Sequence, residues 1–131
     1  MAAGTGSAIL KGGSGNDTLV GGASRDFIIG GDGKDTLTGN GGDDLLIGGR
    51  TRFDDNSKVL LAMLDEWNSA DSYDVRIDRI RRGTNDIPPL DITNVFDDHA
   101  TDVLTGGDGQ DWFFTASDDK ITDRNKGEVV N

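Results

Sequence analysis

Large apolar residues return at intervals of nine along the first fifty positions, at Leu10, Leu19, Ile28, Leu37 and Leu46, and the same spacing resumes far downstream at Leu104 and Phe113. Neither the 3.6-residue stripe of a helix nor the strict alternation of a lone strand produces this interval, so a repeated unit does. Residues 50–96 behave differently. There Val59, Leu60, Met63, Leu64 and Trp67 fall at i, i+1, i+4, i+5 and i+8, one face of a helix, with Asn56 or Ser57 as N-cap. A second helix is predicted from Asp71 or Ser72 to Arg82. Its stripe is Tyr73, Ile77 and Ile80, Asp74 lies in its first turn, and Gly83 is placed to end it. Asn68-Ser69-Ala70 would join the two as a helical hairpin. Ile87-Pro88-Pro89 must then run extended, bringing the chain back through Ile92 and Val95-Phe96.

Aligning the apolar positions brings glycine and aspartate into register. Gly12-Gly13-Ser14-Gly15-Asn16-Asp17-Thr18-Leu19-Val20 recurs as Gly30-Gly31-Asp32-Gly33-Lys34-Asp35-Thr36-Leu37-Thr38 and again as Gly106-Gly107-Asp108-Gly109-Gln110-Asp111-Trp112-Phe113-Phe114. The units beginning at Gly21 and Gly39 keep the frame with Asp26 and Asp44. Weaker units run from Thr5 to Lys11, with Ala8 where Asp belongs, and from Asp97 to Thr105, which keeps Asp102 and Leu104 but lacks the glycines.

This pattern resembles the nonapeptide Gly-Gly-x-Gly-x-Asp-x-U-x repeat of RTX proteins, the hemolysin-type calcium-binding family. The resemblance covers residues 3–49 and 97–114. It implies a mainly β fold: a calcium-loaded parallel β-roll in which each repeat gives a six-residue turn and a three-residue strand, interrupted here by the helical hairpin. The expected organisation is one domain, with repeats at 1–49, the insert at 50–96, and final repeats with a C-terminal tail at 97–131.

Elementary chemistry supports the ion. Calcium takes six to eight oxygen ligands in flexible geometry, which main-chain carbonyls and one carboxylate per turn supply when two turns share an ion. The expected ligands are Asp17, Asp26, Asp35, Asp44, Asp102 and Asp111. To these are added turn positions Gly12, Ser14, Gly21, Ala23, Gly30, Asp32, Gly39, Gly41, Gly106 and Asp108, whose carbonyls the glycine-rich turns aim inward. With two repeats per coil, ions should join Asp17 with Asp35, Asp26 with Asp44, Asp35 with Asp102 and Asp44 with Asp111, about four sites. Ordinary hairpin turns without ions would leave those carboxylates stacked and repelling. Ser24 replaces a fourth-position glycine and Asn40 a second-position one, so the sites using these turns are expected to be the weaker ones.

Charge narrows the partners. Of 24 acids 22 are Asp, and against 13 Lys and Arg the net charge is −11, which opposes nucleic acid and anionic membranes. With no Cys and a single His, thiolate and histidine-rich metal sites are excluded, leaving oxygen ligands. No apolar run is long enough to span a bilayer, and Met-Ala-Ala-Gly is no secretory signal; it reads as the start of a fragment of a longer protein.

No catalytic constellation is visible: His99 stands alone, and nucleophile elbow, Walker loop and EF-hand spacing are all missing. The chain is therefore read as non-enzymatic. The resemblance implies a bacterial, extracellular module that stays unfolded in calcium-poor cytosol, passes a type I secretion channel and folds outside, stabilising upstream domains of a larger protein. The alternative is an interaction module presenting the insert to a surface polysaccharide or protein. An exposed groove containing Trp67 or Tyr73 would favour the alternative; burial of both would favour the first reading. The insert is expected to lie as a lid on the C-terminal end of the roll, sheltering Trp112 and Phe113 with help from Ile121, Val129 and Val130. Arg76, Arg79, Arg81 and Arg82 are expected on a solvated face.

Overall fold

The computed structural model describes residue 4 and residues 6–131; the start of the weak first unit, Thr5, lies outside the described residues. Short strands alternate between two parallel sheets as the chain advances. The first sheet takes β1 (Ile9–Ser14), β3 (Phe27–Asp32), β5 (Leu45–Ile47), β9 (Trp112–Phe114) and β11 (Val129–Val130), in that spatial order. The second takes β2 (Thr18–Val20), β4 (Thr36–Asn40), β8 (Val103–Gly107) and β10 (Lys120–Ile121). Each coil of chain thus contributes one strand to either sheet, and the apolar eighth positions stack in register: Leu10 on Ile28, Leu46 and Phe113, and Leu19 on Leu37 and Leu104.

Those stacked residues form one core, with Leu10, Leu19, Ile28, Leu37, Leu46, Leu104 and Phe113 packed between the sheets. A three-residue strand aims its middle side chain inward and its outer two away. On the second sheet the outward residues are mostly threonine (Thr18, Thr36, Thr38, Thr105), suited to water. On the first sheet they are Phe27, Ile29, Leu45, Ile47, Trp112 and Phe114, all buried. The insert covers them.

Its helices are α1 (Ser57–Trp67) and α2 (Tyr73–Arg82). Asn56 caps α1 by accepting the Val59 amide, Ser72 is the N-cap residue of α2, and Gly83 ends α2 with φ 81°. Leu60, Met63, Leu64, Trp67, Tyr73, Ile77 and Ile80 join the outward residues of the first sheet in a second core. The neck of the insert is a two-stranded antiparallel ladder of β6 (Arg50–Thr51) and β7 (Val95–Phe96).

Three expectations are corrected. The insert is not a lid on the end of the coil; it lies against the flank of the first sheet, because that is where the uncovered apolar surface is. Phe113 is sheltered between the sheets rather than by the helices, and the C-terminal end is extended by the tail itself through β10 and β11. Arg76 is not solvated but buried at 2% exposure.

Candidate metal centre

The six-residue turns between strands stack in two columns, one along each edge of the paired sheets. The first contains Asp17, Asp35, Asp102 and Asp119; the second contains Asp26, Asp44, Asp111 and Glu128. In each column a carboxylate oxygen accepts the main-chain amide of the corresponding acid one coil earlier. Asp35 Oδ1 takes the Asp17 amide, Asp44 Oδ1 the Asp26 amide, Asp102 Oδ1 the Asp35 amide and Asp111 Oδ1 the Asp44 amide, each at 2.8 Å. The four pairs expected from the nine-residue period are therefore brought together.

The second oxygen of these acids is the informative one. Oδ2 of Asp17, Asp35, Asp44, Asp102 and Asp111 is buried without a hydrogen-bond partner. Each folds back under the first glycine of its own turn, where a Cβ on Gly12 or Gly30 would sit 2.7 Å from the carboxylate and collide with the carbonyl of the matching glycine one coil on. That close approach explains why the first position is glycine. Burial is the largest cause pushing four of these carboxyls up, to about 9 for Asp44, about 8 for Asp111 and about 7 for Asp102, with Asp35 also raised. The donated amides offset part of this, and neighbouring carboxylates add to it. Orphaned oxygens of one charge sign, beside converging carbonyls, are a donor set that fits a hard cation.

The turn holding Ser24 departs from the rest. Gly15, Gly33, Gly42 and Gly109 occupy the left-handed region at their fourth position, and Asn40 does so at its second with φ 76°, but no residue of turn 21–26 does. Ser24, unable to adopt that conformation cheaply, leaves a different turn, and Asp26 Oδ2 accepts the Gly22 amide at 2.8 Å. Asp26 is thus satisfied without a cation. Among the third-position residues, the Asp32 side chain pairs with Arg50 at 2.7 Å, half-exposed, and Asp108 is exposed. Any contribution of these two to the columns comes from the main chain.

A further correction concerns the weak unit at 97–105. Two of its three glycines are not missing: Gly48 and Gly49 supply the first and second from before the insert, while Ala100 stands at the fourth position. A Cβ on Gly48 would meet Asp102 Oδ2 at 2.7 Å, as Gly30 meets Asp35, and Gly49 carbonyl accepts the Gly31 amide at 3.0 Å. The insert is spliced into a single nonapeptide after its second residue. Sequence reasoning also missed the last coil. Asp119 Oδ1 accepts the Asp102 amide at 3.0 Å and Glu128 Oε1 the Asp111 amide at 3.4 Å. The signal was available, since Asp119-x-Ile121 and Glu128-x-Val130 repeat the Asp-x-U trio nine apart.

A family model described as the RTX calcium-binding nonapeptide repeat matches four copies, over residues 3–37, 21–50 and 101–119, just over half of the chain. The chain belongs to this family. Neither the search of curated proteins nor that of solved structures found a match. In this RTX chain the matched residues include Gly48 and Gly49 on one side of the insert and Asp102 on the other, as the split repeat requires. Among the described residues no helix is long and apolar enough to cross a membrane.

Proposed function

We propose that the chain is a calcium-loaded β-roll whose two columns of turns hold the ions, and that calcium binding folds it. The observation that carries this reading is the set of five buried Oδ2 atoms without partners. Left bare, they would oppose folding, because an unpaired buried charge is costly. Calcium supplies the compensating charge, and the residues do the rest. Asp35, Asp44, Asp102 and Asp111 present the carboxylate oxygen, the first-position glycines Gly12, Gly30, Gly39, Gly48 and Gly106 present carbonyls, and the Oδ1 hydrogen bonds fix each carboxylate in place.

Asp35 and Asp102 each belong to two successive pairs in the first column, as Asp44 and Asp111 do in the second; Asp35, which lies in a fully matching repeat, is expected to matter most. The Asp26–Asp44 site is the weakest, since Asp26 has already found an amide. RTX repeat proteins are typically secreted by bacteria. On that basis the chain is a module of a larger extracellular protein, exported through a type I channel before it folds, acting through binding and folding rather than catalysis. Trp67 and Tyr73 are 0% and 6% exposed, which supports this reading over a groove for polysaccharide or protein.

The test is a calcium titration after exhaustive chelation, followed by far-UV circular dichroism. Conversion from a largely disordered chain to a β-rich spectrum is expected, with a higher midpoint for Asp35→Ala. An unchanged β-spectrum throughout would contradict the proposal.

A further inference from the structure

Where the chain re-enters the coil after the insert, one corner of the molecule gathers side chains outside the two columns. Asp97 and His99 come from the return of the insert, and Asp118 from the turn leading into β10. One ligand atom from each lies within 4.8 Å of the other two, and His99 Nδ1 stands 2.9 Å from Asp97 Oδ2. All three residues are exposed. Among the described residues no lysine or arginine forms an ion pair with Asp97 or Asp118, and Asp98 and Asp119 add further negative charge beside them.

We propose that Asp97, His99 and Asp118 form a metal site of a second class, for a divalent transition ion such as zinc. The donor set sets it apart from the columns. An imidazole nitrogen with two carboxylate oxygens suits zinc and its first-row neighbours, whereas calcium prefers oxygen alone. The spacing also fits. With metal–ligand distances of about 2.0–2.2 Å, tetrahedral ligand atoms stand roughly 3.3–3.6 Å apart, so atoms already within 4.8 Å of one another need only small side-chain shifts to share an ion. Three protein ligands at an exposed corner leave the remaining position to water, so the site is open.

Its position gives it a consequence. Asp97 and His99 precede Asp102, and Asp118 precedes Asp119, and those two acids are consecutive rungs of the first column. A zinc-class ion here ties the return leg of the insert to the tail coil, across the two turns that the split repeat brings together. The ion acts as a clasp on the outside of a joint that the chain itself does not close covalently.

The chain's only histidine is His99, so its imidazole resonances in NMR report this site alone. The experiment titrates zinc chloride into the calcium-saturated chain, recording imidazole resonances and binding heats together. One equivalent is expected to bind, with both readouts sharing a midpoint. His99→Ala and Asp118→Asn are each expected to weaken zinc binding by at least the roughly tenfold that losing an outer-sphere partner costs, while the calcium-induced dichroism is unchanged. His99 is 89% exposed, so its replacement leaves the packing intact. Imidazole signals unmoved at millimolar zinc, or a zinc isotherm unaltered in His99→Ala, would overturn the proposal. Neither result bears on calcium in the columns.

Discussion

Arg76 reaches from the second helix of the insert to Asp43 in the second column of turns, with Nη2 2.6 Å from Oδ2. The other Asp43 oxygen accepts the Gln110 amide of the next turn at 2.8 Å. Burial works to raise the Asp43 carboxyl, but the Gln110 amide and the guanidinium outweigh it and hold it below the usual range. The same guanidinium lies 4.6 Å over the Trp67 ring, and Trp67 Nε1 donates to the Asp43 carbonyl at 2.7 Å. One arginine therefore keys the insert to the stacked turns.

Arg76→Ala is expected to destabilise the calcium-loaded fold by up to about 3 kcal/mol, the low end of the range for breaking a buried pair, since Asp43 keeps some contact with water. Arg79 bridges Glu66 and Asp71 on the exposed side of the hairpin, and Arg79→Ala is expected to leave the denaturation midpoint unchanged. Urea unfolding of both variants in calcium checks the contrast.

The split repeat makes Gly48 part of the Asp102 turn although the two residues are far apart in sequence. Gly48→Ala places a methyl against Asp102 Oδ2, and Gly30→Ala does the same at Asp35. Both are expected to raise the calcium midpoint, whereas Gly6→Ala, with nothing within 4 Å, leaves it unaltered. Equal calcium midpoints for Gly48→Ala and Gly6→Ala would show that the repeat does not continue across the insert.

Much of this arrangement could be read from the chain. The pairing of Asp17 with Asp35 and of Asp44 with Asp111 follows from a period of nine taken twice, and Asn56, Ser72 and Gly83 frame helices whose stripes were visible. The insert's seat on the flank was also encoded, but by contrast rather than by motif. Phe27-Ile28-Ile29, Leu45-Leu46-Ile47 and Trp112-Phe113-Phe114 are apolar throughout, as strands buried on both faces must be, while Thr36-Leu37-Thr38 is apolar only at its centre. The last coil was obscured because its spacing to the preceding acids is 17 residues rather than 18. The burial of Arg76 has no local signal, since its partner lies in a different element.

Joining Gly49 directly to Asp97 removes the insert at a point where the two backbones already meet, with a Gly49 Cβ 3.5 Å from Asp97 Cα. The shortened chain is expected to keep its calcium response while exposing Phe27, Leu45, Trp112 and Phe114, and so to associate. Sedimentation velocity in calcium checks this; a monodisperse monomer would argue that the helices do not protect the sheet.

The raised carboxyls set a pH dependence for the calcium-free chain. Asp44, Asp111 and Asp102 ionise at about 9, 8 and 7 in the fold, against about 3.9 when unfolded. The unfolded chain therefore loses protons first, and each unit of pH above about 4 costs stability until the folded value is passed. Chelated protein is expected to gain ordered structure on acidification from neutral pH toward about 4. With calcium present the dependence reverses, because ligands must be ionised, and acid releases the ions. Circular dichroism across this range, with and without chelator, measures both signs.

The most direct test of the central claim is to locate the ions by anomalous scattering from crystals grown in calcium. Peaks are predicted about 2.3–2.6 Å from Oδ2 of Asp35, Asp44, Asp102 and Asp111, strung along the two columns, with the weakest beside Asp26. Columns without peaks, or calcium found only at acids of the insert such as Asp54 and Asp65, would contradict the account.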